Sequence, residues 1–189
     1  YMDAVSYHPY NYPSVPDRMS TEVSAYEGLR KLGAILKRHG EEKPLIISEQ
    51  GWPIQKPNIA NNVGCVTEQA QASYMMRLFT LGLAYGAEQV ILYDLQDDGT
   101  YGGREQNFGL IEHWRGDEVP YAAKESYVAL NNITRQLRGA EFVKEYSVNQ
   151  DLRVYQFRRP ADNKDVVVLW GIYNSRNVRW TGASADMQA

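Results

Sequence analysis

Residues 44–48 read Pro-Leu-Ile-Ile-Ser, a nearly continuous apolar run that ends on a charged residue, Glu49. A strand with one face in water alternates apolar and polar side chains, whereas a run without alternation belongs to a strand covered on both faces, as in parallel sheets. Two more runs of this kind occur, at residues 2–7 and 89–94. Each is followed by a long polar loop and then by helical periodicity. The first loop, residues 8–16, carries three prolines that stop any regular element. Over residues 21–39 the apolar positions Val23, Tyr26, Leu29, Leu32, Ile35 and Leu36 recur every three or four residues, with Ser20 or Thr21 as cap and Gly40 as stop. A second helix follows Thr67, with a stripe through Tyr74, Leu78, Leu81 and Tyr85 and a terminal Gly86. A third is expected to start at Pro120 and to run to about Gln136, with Gly139 beyond its end.

Strand, long loop and helix therefore recur three times, which is the signature of parallel βαβ units with right-handed crossovers. After Gly139 the period changes to two, through residues 142–160, a turn at 161–165, and the runs 166–174 and 178–182. These read as antiparallel strands of another layer. The expected organisation is an α/β unit over residues 1–138 and a β-rich appendage over 139–189, the latter expected to be an incomplete sheet because the last residues are small and polar.

The composition restricts the function classes. With 20 Lys and Arg against 23 Asp and Glu, the formal net charge is −3, and no basic excess points to nucleic acid. No apolar run approaches the roughly 20 residues that a membrane-spanning helix needs. Cys65 is the single cysteine, so no disulfide framework or thiolate metal site is expected within the chain. The opening residues lack the pattern of a signal peptide, and the chain begins inside a strand-like run, so it reads as part of something longer whose destination stays open, secretion or a periplasmic location included. The 14 Tyr and 4 Trp against 4 Phe suit surfaces that stack on amphipathic rings such as sugars, or equally half-buried strand positions.

In parallel α/β architectures the loops at the strands' C-terminal ends build the site. Those ends carry His8 and Tyr10, then Glu49, Gly51 and Trp52, then Tyr93, Asp94, Asp97 and Asp98. A carboxylate directly after a core strand must reach a place where charge is used or neutralised, and a solvated or ion-paired Glu49 is the plainer alternative. Tyr10 could equally pack on the loop prolines, His8 could bond to backbone, and Trp52 and Tyr101 could stack on sugar or simply cover the rim. His39 and His113 do not pair with His8 at ligand spacing, so no metal site and no cofactor are expected.

The run Leu45-Ile46-Ile47-Ser48-Glu49-Gln50-Gly51-Trp52-Pro53 resembles the seventh-strand segment of retaining glycoside hydrolases of the large (β/α)8 superfamily that includes cellulases, mannanases, xylanases and β-xylosidases. Asp3-Ala4-Val5-Ser6-Tyr7-His8-Pro9-Tyr10 is similar to its sixth strand, and Val90-Ile91-Leu92-Tyr93-Asp94-Leu95 to its eighth. Asn107-Phe108-Gly109-Leu110 and the segment from Pro120 resemble the connection to the last helix. The resemblance covers residues 2 to about 137. It implies that the chain is the C-terminal part, strands 6 to 8, of a (β/α)8 TIM barrel, followed by strands of a β-sandwich-like appendage.

By the same resemblance Glu49 is the nucleophile, Tyr10 hydrogen-bonds it, and His8, Trp52 and Tyr93 line the substrate site, although Tyr93 stands where the family commonly has Trp. The implied substrate is a β-linked oligo- or polysaccharide, cleaved at its O-glycosidic bonds. The family's acid/base Glu follows an Asn at the end of the fourth strand, which lies outside these residues. Retaining hydrolysis needs two carboxyl groups about 5 to 5.5 Å apart, so the implied partner is the missing N-terminal half of the barrel, and the chain alone is expected to be inactive. Two rivals remain. Asp94, Asp97 and Asp98 could supply the acid or hold calcium, although DLQDDG does not match a calcium loop. Alternatively, the chain is a non-catalytic carbohydrate-binding or interaction protein derived from such a barrel.

Overall fold

The computed structural model describes the chain except residues 1–2, 19–23, 41–42, 57–62, 100–102, 115, 117–119, 149–150 and 173–189. Among the described residues the regular structure consists of two three-stranded sheets, three α-helices and one short 3-10 helix, Arg104–Gln106. The first sheet is parallel, in the order β1 (Val5–Tyr7), β2 (Leu45–Gln50), β3 (Ala87–Leu92). Val5 pairs with Leu45 and Tyr7 with Ile47, and Ile47 in turn pairs with Val90. Helix α1 (Ala25–Arg38) joins the first two strands and α2 (Glu68–Ala84) the next two. This is the βαβ order that the alternation of the sequence predicts.

The helices start where a side chain can satisfy the free N–H groups of the first turn. Ser24 accepts from the Glu27 amide at 3.2 Å, and Thr67 accepts from the Ala70 amide at 3.1 Å. Thr67 is the cap that the sequence predicts, whereas the first helix is capped at Ser24, and the expected caps Ser20 and Thr21 lie outside the described residues. The third helix, α3 (Glu125–Gln136), starts five residues later than Pro120 predicts. The physical reason is competition for backbone bonds. Glu112 N–H donates to the Ala122 carbonyl at 2.8 Å and Lys124 N–H to the Leu110 carbonyl at 2.9 Å, so residues 122–124 are held extended against 110–112. Pro120 consequently sits in a turn.

Leu29, Leu36, Leu45, Ile47, Met75, Leu78 and Leu81 form one core between α1, the sheet and α2. Close helix-to-strand approach depends on Gly28, where a Cβ would stand 2.6 Å from the Tyr7 ring. The second sheet is antiparallel, β4 (Glu141–Glu145), β5 (Leu152–Arg159) and β6 (Lys164–Gly171), and Tyr155 and Phe157 of its middle strand join the same core. Antiparallel strands after residue 139 are present as expected, but the run 142–160 divides into β4 and β5 and burial along β5 does not alternate; the run 178–182 lies outside the described residues.

Within α1 the predicted apolar stripe divides. Leu29 is 1% exposed, but Ile35 is 43% exposed on the outer side of the helix. Leu29→Ala should therefore cost about 2–5 kcal/mol and Ile35→Ala under about 1 kcal/mol, because only the first leaves a cavity. Chemical denaturation of both variants checks this, and equal losses would contradict the packing described.

Candidate active site

Parallel pairing puts the C-terminal ends of β1, β2 and β3 on one edge, so the segments that follow them meet there. Strand β2 runs further than the apolar run predicts and includes both Glu49 and Gln50. The ladder continues past β3, where Tyr93 N–H donates to the Gln50 carbonyl at 3.0 Å. Gly51 is required at this point, since a Cβ there would overlap the Tyr93 carbonyl oxygen and press on the Phe108 ring.

On this edge the Tyr10 hydroxyl donates to Glu49 Oε1 at 2.7 Å. His8 Nδ1 stands 3.9 Å from Glu49 Oε2, near enough for a charge interaction but too far for a hydrogen bond. The Glu49 side chain is 38% exposed and thus partly open to solvent. Burial, followed by the bond to Glu49 and its charge, pushes the Tyr10 phenol well above the usual tyrosine range. Tyr10 is thereby kept as a neutral donor at any physiological pH.

Around this pair the aromatic rings meet edge-on. Phe108 lies 6.2 Å from Tyr10, 5.7 Å from Tyr12 and 5.1 Å from Tyr93, centroid to centroid, and Arg104 covers Tyr12 at 4.9 Å. Phe108, 2% exposed, is the hub that links the three segments, and neither it nor Tyr12 is a site candidate by sequence. The signal that could have found Phe108 is an apolar ring standing in the polar loop after β3, since such a ring must pack on something. Tyr93 lies in the turn after β3, and its hydroxyl is raised above the ordinary range by burial and then by Asp98, Asp94, Glu105 and Glu49.

Trp52 departs from the expectation of a sugar-stacking residue. It is 0% exposed, donates its indole N–H to the Ser14 carbonyl at 2.9 Å, and meets Tyr74 edge-on at 5.5 Å. Its Nε1–H has a partner inside the fold, so the ring turns toward α2 instead of the open edge. Tyr101 lies outside the described residues.

The three aspartates after β3 have different environments. Asp97 is buried, bound by Lys124 Nζ at 2.5 Å and by the Gly109 amide at 2.9 Å, with Lys56 Nζ at 3.5 Å. Burial lowers the Lys124 ammonium and Asp97 opposes that shift, as expected for a desolvated ion pair. This carboxylate holds the loop together. Asp98 is exposed. Asp94 is half-buried, and burial, then Asp98 and Asp97, push its carboxyl up to about 6. Its Oδ1 has no hydrogen-bond partner among the described residues. Among the described residues no group of three or more His, Cys, Asp or Glu is placed to hold a metal ion.

No protein-family model matches the chain, and no curated protein sequence matches it. Solved structures do. SrfJ from Salmonella typhimurium superposes with a TM-score of 0.51 at 12% identity, over 76% of this chain and 36% of that one. A GH2 beta-galacturonidase from Eisenbergiella tayi bound to glycerol superposes with a TM-score of 0.51 at 19% identity, over 76% of this chain and 25% of that one. This chain thus spans about a third and a quarter of the two proteins, and the likeness at such identities is one of fold.

Asp94 generates a testable pH effect. A carboxyl raised in the folded state binds more protons there than when unfolded, so stability falls as pH climbs from the unfolded value toward about 6 and levels off above it. After discounting for solvent screening of a half-buried group, the loss is about 1 kcal/mol. Asp94→Asn should remove it, so that urea unfolding of the variant loses less stability than the parent between about pH 4 and pH 7. Parallel pH curves for variant and parent would show that Asp94 titrates as an ordinary surface carboxylate.

Proposed function

We propose that this chain is part of a retaining glycoside hydrolase in which Glu49 is the nucleophile. Residues 1–138 are then the C-terminal part of a (β/α)8 barrel and residues 139–189 its β-rich appendage. The observation that carries the reading is the 2.7 Å bond from Tyr10 to a half-exposed Glu49 at the C-terminal ends of parallel strands. A nucleophilic carboxylate needs one oxygen fixed and the other free to approach carbon. A neutral phenol fixes it without forming a competing ion pair.

In this reading a Glu49 oxygen attacks the anomeric carbon, the bond to the leaving oxygen breaks, and a covalent glycosyl ester forms. Water then hydrolyses the ester and restores Glu49. The leaving oxygen is protonated by an acid supplied from the N-terminal half of the barrel, which is the partner this chain requires. Tyr93 offers a ring for a sugar beside Glu49, and His8 contributes a polar contact at the same edge. The name beta-galacturonidase describes what one structural neighbour acts on. The bond cleaved in this chain's reading is of the same class, a glycosidic bond.

A second reading keeps the acid inside the chain. Asp94, with its carboxyl at about 6 and an oxygen lacking a partner, has the protonation range of a general acid at neutral pH.

Both readings are tested with 2-deoxy-2-fluoro glycosides bearing a dinitrophenolate leaving group, which departs without protonation. A gluco-, xylo-, manno- and galacto-configured panel should give one covalent adduct per chain, mapped by mass spectrometry to Glu49 and lost in Glu49→Gln. An adduct on another carboxylate, or none from the whole panel, would overturn the assignment of Glu49. Ordinary aryl glycosides should not turn over, because proton donation is typically worth about 10²- to 10⁴-fold. Turnover abolished by Asp94→Asn would establish the second reading instead.

A further inference from the structure

We propose that the antiparallel sheet helps to aim Tyr10 at Glu49, with Trp170 of β6 as a positioning residue that acts through Asp17. The purpose of such aiming rests on the nucleophile reading above, but the contacts and their test do not. Tyr10 belongs to the segment between β1 and α1, and Asp17 lies seven residues after it in the same segment. The intervening backbone is tied to itself. Asn11 Nδ2 donates to the Val15 carbonyl at 2.7 Å, Ser14 N–H to the Asn11 carbonyl at 2.9 Å, and Arg18 N–H to the Val15 carbonyl at 3.3 Å. Two outside holds lie between its ends, Trp52 Nε1–H to the Ser14 carbonyl at 2.9 Å and Tyr26 N–H to the Pro16 carbonyl at 3.1 Å, so a displacement of Asp17 reaches Tyr10 through a backbone with few free joints.

Asp17 is wholly buried, and every group that grips its carboxylate comes from elsewhere in the chain. Trp170 Nε1–H donates to Oδ2 at 2.8 Å, Arg153 Nε of β5 stands 3.9 Å from Oδ2, and Arg77 Nη1 of α2 stands 3.6 Å from Oδ1. Arg77 is itself anchored to the sheet, donating to the Gly171 carbonyl at 3.2 Å, and Arg153 reaches Glu145 at 3.3 Å. The cluster balances two guanidinium groups against two carboxylates.

Buried ion clusters of this kind contribute little net stability, since apolar replacements often do as well, but they fix a relative position. Apolar packing through Tyr155 and Phe157 already joins the antiparallel sheet to the common core. What the cluster adds is direction. The indole N–H is the shortest contact to Asp17, and its ring is stacked on Tyr155 at 5.2 Å, so the donor is held in place by the sheet.

The test follows the Tyr10 hydroxyl directly, in the chain labelled with ¹³Cζ-tyrosine and with its signal assigned through Tyr10→Phe. Glu49→Ala, which removes the acceptor, marks the signal of an unbound hydroxyl. Trp170→Phe keeps a ring and removes the donor, and it should move the Tyr10 signal more than half of the way to that mark. The Tyr7 signal, whose hydroxyl donates to the Ala25 carbonyl, should stay. Val166→Ala on the same strand, whose side chain packs against the core, should lower the melting temperature without moving Tyr10. An unmoved Tyr10 signal in folded Trp170→Phe, or an equal movement in Val166→Ala, would overturn the proposal.

Should Trp170→Phe fail to fold, hydrogen exchange of the unmodified chain in rising denaturant decides. The Trp170 indole and Tyr10 hydroxyl protons should lose protection in the same step, and a Tyr10 hydroxyl that outlasts the indole would refute the coupling. No sugar enters either readout, so failure of this proposal and failure of the Glu49 reaction are separate results.

Discussion

Parallel pairing of β1, β2 and β3 is the constraint on which the rest of the structure depends. Two parallel neighbours cannot be joined by a tight turn, so each connection must cross the sheet, and here α1 and α2 make those crossings. The segments that leave the strands then emerge on one edge whatever their sequences. Loops separated by dozens of residues become neighbours there, and a buried phenylalanine, Phe108, fills the space among Tyr10, Tyr12 and Tyr93. Backbone also runs close to backbone on this edge, which is why position 51 tolerates no side chain.

Charge is distributed unequally around this edge. Asp97 is enclosed and answered by Lys124, and Asp17 is enclosed and answered by Arg77, Arg153 and the Trp170 indole. Desolvation makes an unanswered charge expensive in such places, so each of these carboxylates comes with its partners. Glu49 is treated differently. Its closest hydrogen-bond donor is a neutral phenol, and part of its surface faces water. A carboxylate placed among aromatic rings with a neutral donor retains its capacity to interact with something not belonging to the chain.

The parallel order and the three helices were legible because burial leaves a periodic trace, in runs such as 44–48 and in the spacing of Leu29, Leu36, Leu78 and Leu81. The contact between Tyr10 and Glu49 was legible through resemblance, which carries the geometry of a strand end that spacing alone does not contain. Three features were not legible, each for a physical reason. Trp52 turns inward because Ser14 offers its indole a carbonyl, and a partner 38 residues away leaves no local mark. The start of α3 is displaced because residues 110–112 claim the backbone of 122–124. The separate fates of Asp94, Asp97 and Asp98 depend on where Lys124 and Lys56 stand, and the string of aspartates looks uniform without them.

The bond between Asp17 and Trp170 joins residues 153 positions apart. A ribosome adding about 5–20 residues per second makes the second of these roughly 8 to 30 s after the first. Throughout that interval the segment with Tyr10 has been synthesised, but the indole that completes the grip on Asp17 has not. Closing so long a loop also delays folding in a freely refolding chain, since non-local contacts give nothing back until the ends have met. The nascent segment therefore spends its first seconds without its last anchor, and the order in which this protein is built differs from the order in which its parts acquire their final geometry.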